Sequence, residues 1–189
     1  MVITYHGQNN FRLTSGATTL AVDPLNDRLK PTLAIKTLID PSNIPNDFGI
    51  VSTAGEFDLA DIEVRGVQLD NESTSKFIKN VYLVKGLDDL RLAFLGHASN
   101  NIDKEVVETI GVVDILFISI GEHYLKTEDA EKIIKEIAPK MVVVATFGDI
   151  SAKTLSKDFG KDIKSENKIT IKAKDLPEKG FDVIVLEKS

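Results

Sequence analysis

The chain has 189 residues, 42% of them hydrophobic, which is enough for one buried core, so we predict a single domain spanning residues 1–189. A net charge of −6 without a cluster of Lys and Arg argues against a nucleic-acid surface, and the absence of cysteine excludes disulfides, thiol catalysis and cysteine-bound zinc. No apolar run is long enough to cross a bilayer and the first residues lack the pattern of a signal peptide, which predicts a cytoplasmic protein without a membrane partner.

The N-terminal half has the pattern of short strands joined by tight turns. Ser15-Gly16 and residues 86–89 have the composition of hairpin turns between neighbouring strands. Residues 25–46 contain Pro31, Pro41 and Pro45, so we predict a loop there with at most one turn of helix. The predicted strands of this half cover residues 2–5, 11–14, 18–22, 50–53, 62–67, 81–84 and 91–95.

The most strongly patterned stretch is a β-α-β unit in residues 114–149. Residues 114–120 and 141–145 are apolar runs of strand length, as expected for strands buried on both faces. Between them, apolar residues at helical spacing predict a helix over residues 127–138, capped by Thr127 and ended by Pro139. The residues on that face are Ala130, Ile133, Ile134, Ile137 and Ala138. Ligand sites in such units lie beyond the carboxyl ends of the strands, so residues 121–124 and 146–149 are candidates for chemistry.

Shorter elements flank this unit. Residues 102–110 and 151–159 have helical patterns, and residues 168–171 and 183–186 have strand patterns. Along the chain, a series of strands comes first and a series of strands mixed with helices follows. This order favours two layers of sheet with helices outside over a single doubly wound sheet.

The order of these segments resembles the metallo-β-lactamase superfamily, in particular its small bacterial metal-dependent hydrolases. The similar segments extend over nearly the whole chain and are residues 1–11, 20–24, 55–57, 64–67, 92–96, 110–118, the helix predicted over 127–138, 168–172 and 175–177. The resemblance implies a mixed α/β (α+β) fold, a four-layer αββα sandwich in which two mixed β-sheets are flanked by helices. It also implies a metal site at the edge between the two sheets.

The sequence departs from the family pattern at every metal-ligand position. The family's His-x-His-x-Asp-His loop should fall between Pro24 and Gly55, and that segment contains no histidine. Where the family has Leu-Gly-Asp, this chain has His97 in place of the Asp. Phe147 stands at the position of the family's final histidine, and Gln8 replaces the histidine of the family's early Gly-His. A catalytic zinc needs about three protein ligands and an open position for water. The leading hypothesis is therefore a member of the fold that has lost its metal site and needs no cofactor.

Such a protein is predicted to be non-catalytic and to act by binding. Its partner could be a second copy in a homo-oligomer, an intact relative in a mixed oligomer, or a small ligand in the vacated cleft. The alternative is a metal-dependent hydrolase with a rebuilt mononuclear site for zinc or manganese, formed by His97, His123, Glu122 and Asp149 at strand ends. Against this alternative, all four residues have the character of ordinary polar loop residues.

Overall fold

The computed structural model of the chain describes residues 1–26, 30–45, 47, 49–100 and 102–189. This part contains fifteen β-strands and three α-helices. The strands, in chain order, are β1 (Val2–Tyr5), β2 (Phe11–Ser15), β3 (Thr18–Val22), β4 (Leu33–Ile35), β5 (Leu38–Ile39), β6 (Ile50–Val51), β7 (Gly55–Leu59), β8 (Ile62–Gln68), β9 (Ile78–Leu87), β10 (Leu90–Phe94), β11 (Ile115–Ile120), β12 (Met141–Thr146), β13 (Lys164–Glu166), β14 (Lys168–Thr170) and β15 (Asp182–Leu186). The helices are α1 (Lys104–Ile110), α2 (Thr127–Ile137) and α3 (Ala152–Asp158), and short 3-10 turns cover Asp70–Glu72 and Ala173–Asp175.

The strands form two mixed sheets, as the resemblance implied. A six-stranded sheet has the order β14-β1-β2-β3-β4-β6, and a nine-stranded sheet has the order β13-β15-β12-β11-β10-β9-β8-β7 with β5 attached to β9. Both sheets combine parallel pairs, such as β3 with β4 and β11 with β12, with antiparallel ones. In the small sheet, β1 pairs with its neighbour β2 and also with β14, so that Val2 lies opposite Thr170 near the other end of the chain.

Two hydrophobic cores hold these layers together. The first lies between the sheets and includes Phe11, Leu20, Tyr82, Phe94 and Phe117, all at most 1% exposed. The second lies between the nine-stranded sheet and the helices, and all three helices contribute buried residues to it. No helix in the described ranges is long and apolar enough to span a membrane.

The β-α-β unit predicted in residues 114–149 is confirmed. β11 and β12 are parallel in register from Ile115 opposite Met141 to Ile120 opposite Thr146, and all six residues of β11 are buried. The predicted apolar face of α2 is buried up to Ile137. The predicted cap is wrong: the helix begins at Thr127, so the capping position belongs to Lys126, and its side chain makes no capping hydrogen bond.

The prediction for residues 25–46 was wrong in part. β4 and β5 lie inside this segment, where β4 pairs in parallel with β3 and β6, and β5 pairs with β9. Strands of three and two residues between prolines carry too little periodicity to be recognised in the sequence. Positions 27–29 and 46 of this predicted loop lie outside the described residues. β7 and β13 were not predicted either, because their residues are mostly exposed and polar.

Asp114 stabilises the start of β11 through a buried carboxylate. The carboxylate accepts hydrogen bonds from the backbone N and Nε of Arg91 at 3.0 and 3.1 Å, and Lys140 Nζ lies 3.0 Å away. Burial alone would raise the pKa of Asp114, but the hydrogen bonds from Arg91 and Lys140 outweigh burial and lower this pKa to about 2.

Because of this low pKa, we expect the free energy of unfolding to decrease at acidic pH. The pKa of Asp114 is lower in the folded chain than its ordinary value of 3.8, so its contribution to stability is complete above about pH 5 and is lost as the pH falls through about 2. Urea denaturation should show that wild type loses about 2 kcal/mol more than Asp114→Asn between neutral pH and about pH 2. The same pH dependence in both proteins would contradict this account.

Candidate functional site

A cleft lies beyond the carboxyl ends of β10, β11 and β12. These three strands run parallel to one another, so the loops that follow them meet at one edge of the nine-stranded sheet. The cleft has a volume of 820 Å³, and its lining includes His97 from the first loop, Glu122, His123 and Tyr124 from the second, and Phe147 from the third. This volume falls in the range of small-molecule sites.

A hydrogen-bonded network around Asp23 lies next to the cleft and reaches His97 of its lining. One carboxylate oxygen of Asp23 accepts hydrogen bonds from Asn9 Nδ2 and Thr37 Oγ1, both at 2.5 Å, and the other accepts one from the backbone N of Thr37 at 2.7 Å. Ser119, at the end of β11, donates to the amide oxygen of Asn9 at 2.8 Å. The network therefore joins the two sheets, because Asp23 follows β3 of the small sheet and Ser119 belongs to the large one.

Thr37 connects this network to His97. Thr37 Oγ1 lies 2.8 Å from Nδ1 of His97. The threonine hydroxyl has a single hydrogen, which it donates to Asp23, so it must accept the hydrogen of His97 Nδ1. A neutral imidazole carries one hydrogen, and Nε2 of His97 is therefore left as a hydrogen-bond acceptor.

Burial lowers the pKa of His97, an effect that the nearby Asp23 carboxylate opposes and that Lys79 reinforces. Burial raises the pKa of Asp23, although His97 and the hydrogen bonds from Thr37 and Asn9 act in the opposite direction. The lowered pKa favours an uncharged imidazole at neutral pH.

Several residues at the cleft have positive φ angles, and three of them shape the surroundings of His97 and Thr37 or the neighbouring loop. Asp23 and Glu122 have φ angles of 44° and 46°, in a region that L-residues rarely occupy. Gly96 has a φ of 55°, and a Cβ at this position would overlap the side chain of Thr37. Glycine is therefore required at position 96 for the His97 loop to approach Thr37.

A second polar cluster, around Glu72, includes Lys79, Ser99 and Asn100 of the cleft lining. The buried carboxylate of Glu72 accepts hydrogen bonds from Lys79 Nζ at 2.6 Å, from Ser99 Oγ at 2.6 Å, and from the backbone N of Ser99 and Asn100 at 2.9 and 3.0 Å. Lys79 Nζ also donates to Ser99 Oγ at 2.8 Å. Burial would raise the pKa of Glu72, but these hydrogen bonds outweigh it and the pKa is lowered.

Aromatic rings complete the cleft. The ring of Phe147 stacks on that of Tyr124, with centroids 4.1 Å apart and an interplanar angle of 26°. Tyr124 in turn lies 5.4 Å from His97, centroid to centroid. Phe147, which the resemblance placed at the position of the family's final histidine, supplies apolar surface to the cleft.

The structure brings three of the four predicted alternative site residues to one cavity. His97, Glu122 and His123 line the cleft, whereas Asp149 is exposed farther along the last loop and is not part of the lining. Within the described ranges, no group of three His, Asp or Glu side chains could hold a metal ion together. The four-residue metal site therefore stays a prediction.

The donors that are present do not fit the family's metal centre. The Asp23 carboxylate is occupied by three hydrogen bonds, and Nδ1 of His97 is occupied by Thr37. Within the described ranges, His97, Glu122 and His123 do not come together as a group that could hold a metal ion, so the donors fall short of the three or four ligands that zinc requires. The roles of Asn9, Thr37 and Glu72 were not predicted from the sequence, because residues of these types are common in loops and form no motif here.

Comparison with known proteins agrees with this architecture. Residues 2–145 match a family model described as "Beta-lactamase superfamily domain". No curated protein matches the chain. A Thermotoga maritima structure, described as a candidate zinc-dependent hydrolase of the metallo-beta-lactamase superfamily, is 16% identical with a TM-score of 0.79, covering 98% of each chain.

Two further structures share the fold at low sequence identity. Igni18, a metallo hydrolase from Ignicoccus hospitalis, is 16% identical with a TM-score of 0.67, covering 99% of this chain and 95% of its own. An isothiocyanate hydrolase from Delia radicum gut bacteria is 11% identical with a TM-score of 0.67, covering 92% of this chain and 100% of its own. The resemblance read from the sequence is confirmed, and the chain belongs to the beta-lactamase superfamily.

Proposed function

We propose that this protein binds a small ligand in its cleft and does not hydrolyse substrates with a metal centre. The observation that carries the proposal is the hydrogen-bonded network of Asn9, Asp23, Thr37 and His97. In this network the Asp23 carboxylate and Nδ1 of His97 already have hydrogen-bond partners and are not available to a metal ion. Such a protein could act alone, as a homo-oligomer, or in a mixed oligomer with an intact relative.

The energetics of the network support this function. Three hydrogen bonds converge on the Asp23 carboxylate, and each contributes about 1 kcal/mol. A metal that recruited Asp23 would have to break these bonds and leave Thr37 and Asn9 with unpaired buried groups, since Thr37 is fully buried and Asn9 is 2% exposed. Turning His97 to offer Nδ1 would cost the bond to Thr37 as well.

The cleft also has the composition of a ligand site. Apolar and aromatic side chains, including Leu38, Phe77 and Phe147, share its lining with polar groups such as Gln8 and His97. Sites for small molecules are typically apolar concavities with a few polar groups that fix the orientation of the ligand.

Metal analysis is the first test. Protein purified without chelator should carry far less than one zinc or manganese per chain when measured by inductively coupled plasma mass spectrometry. One equivalent of metal that is lost in His97→Ala or His123→Ala would overturn the proposal. Metal-dependent turnover of phosphodiesters, lactones or β-lactams that is abolished by His97→Ala would establish the hydrolase alternative.

Thermal stability tests the binding role. A metabolite present at a hundred times its Kd should stabilise the fold by about 2.7 kcal/mol, which raises the Tm by about 5–10 °C. Leu38→Lys should reduce this shift by placing a charge in the cleft, because Leu38 lines it and is 40% exposed. Val112→Lys is a matched control, since Val112 is 65% exposed and precedes β11, away from the cleft. A broad metabolite set without any stabilising compound would count against the proposal.

A further inference from the structure

We propose that the cleft selects an uncharged, ring-containing molecule that donates a hydrogen bond to Nε2 of His97. This inference rests on the proposed function, because it names the class of ligand that the same cleft takes. Three features of the cleft carry it: its paired charges, the orientation of His97 and its aromatic lining.

The buried charges next to the cleft already have ionic or hydrogen-bond partners. Lys79 and Glu72 form an ion pair at 2.6 Å with side chains only 12% and 7% exposed. Asp23 is enclosed by its hydrogen bonds to Asn9 and Thr37. Lys126 and Glu122, the other charged residues of the lining, are exposed and of opposite sign. A ligand with a net charge would lose hydration in the cleft, and the counter-charges of Lys126 and Glu122 are exposed to water, where an ion pair gains little, so a charged ligand is disfavoured.

His97 presents a defined acceptor to the cleft. Its Nδ1 donates to Thr37, so the lone pair lies on Nε2, for which no hydrogen bond is formed within the described part of the chain. Nε2 of His97 is also accessible. In the described residues, Oδ1 of Asn80 is the one side-chain N or O atom that is both fully buried and without a hydrogen-bond partner. Nε2 has no partner either, so it is not fully buried. A ligand N–H or O–H group is the complement of such an acceptor.

The remaining surface favours a ring. Phe77, Tyr124 and Phe147 line the cleft together with Leu38. Tyr124 and Phe147 already lie face to face, and a flat ligand can extend such a stack. Aromatic pairs gain stability beyond the area that they bury, which an aliphatic chain does not reproduce.

Four probes with one ring system test the inference. Indole is neutral and donates one hydrogen bond, 1-methylindole lacks the donor, indole-3-acetate is an anion and tryptamine is a cation. The protein contains no tryptophan, so indole fluorescence reports binding without background from the chain. Indole should bind about five- to tenfold more tightly than 1-methylindole, the ratio that one hydrogen bond supplies, and more tightly than both charged probes.

Variants of Thr37 separate orientation from packing. Thr37→Val keeps the shape but removes the hydroxyl that holds His97, so the preference for indole over 1-methylindole should fall below about twofold. Thr37→Ser keeps the hydroxyl and should retain the preference. His97→Phe should remove the preference while leaving an aromatic surface, and Val112→Lys should match wild type in all four affinities.

The outcomes distinguish the ligand class from the binding role. Tighter binding of indole-3-acetate or tryptamine than of indole would overturn the ligand class and leave the cleft as a binding site. Equal affinities for 1-methylindole and indole would also overturn the ligand class and leave the cleft as a binding site. Indole binding that is unchanged in Leu38→Lys would place the probe elsewhere and overturn the proposed function itself. Failure of all four probes to bind would count against both proposals.

Discussion

Replacing Gly96 with Ala is expected to lower the free energy of unfolding by about 3 kcal/mol and to separate His97 from Thr37. The added Cβ would overlap three atoms of the Thr37 side chain, which is fully buried and cannot move aside freely. The φ angle of 55° adds the strain of a left-handed conformation in an L-residue. Strain of this kind and overpacking each cost about 1–3 kcal/mol. Urea denaturation monitored by circular dichroism measures the change.

Gly160→Ala is the matched control for this substitution. Gly160 has a φ angle of 61°, close to that of Gly96, but a Cβ there would meet nothing within 4 Å. The control should therefore lose only the backbone contribution, about 1–2 kcal/mol. Equal losses in the two variants would show that contact with Thr37 does not limit position 96, and the proposed tight approach of the two loops would be wrong.

Removing the carboxylate of Glu72 is expected to be similarly costly. Among the described residues, Glu72→Ala leaves the ammonium group of Lys79 with Ser99 as its one remaining partner, in a position that is 12% exposed. It also leaves the backbone N–H groups of Ser99 and Asn100 without their acceptor. Loss of one member of a buried ion pair costs about 3–5 kcal/mol, so we expect about 3 kcal/mol in urea denaturation because the pair is not completely enclosed.

A second substitution and a surface pair test the cause of this loss. Glu72→Gln combined with Lys79→Met removes both charges and should recover a large part of the stability that Glu72→Ala loses, since an unpaired charge is no longer buried. Glu108→Ala breaks the exposed pair with Lys104, whose side chains are 66% and 86% exposed, and should change stability by less than about 0.5 kcal/mol. A double variant less stable than Glu72→Ala would contradict the role of the buried charge.

The fold could be predicted from the sequence where apolar patterns are long. The runs of β11 and β12 and the helical spacing of Ala130 and Ile133 predicted the central unit, because each pattern follows from burial of one element against its neighbours. β4, β5, β7 and β13 were missed because they are short or exposed, and their pairing depends on strands elsewhere in the chain.

The candidate site was predictable in position but not in detail. His97, Glu122 and His123 were placed at one cleft because they follow parallel strands of one sheet. The partners of His97 could not be found in this way, because Thr37 lies 60 positions away in a segment that was predicted to be a loop. The absence of family ligands is evident in the sequence, whereas the hydrogen bonds formed in their place depend on tertiary structure.

The position of β1 in the small sheet bears on the synthesis of the protein. β1 lies between β2 and β14, and Val2 pairs with Thr170, 168 positions later. At about 5–20 residues per second, a ribosome needs about 8–34 s to proceed from one of these residues to the other. One edge of β1 stays unpaired during this interval, and unpaired strand edges promote aggregation. The nascent chain therefore has a defined period of vulnerability that ends only when β14 emerges.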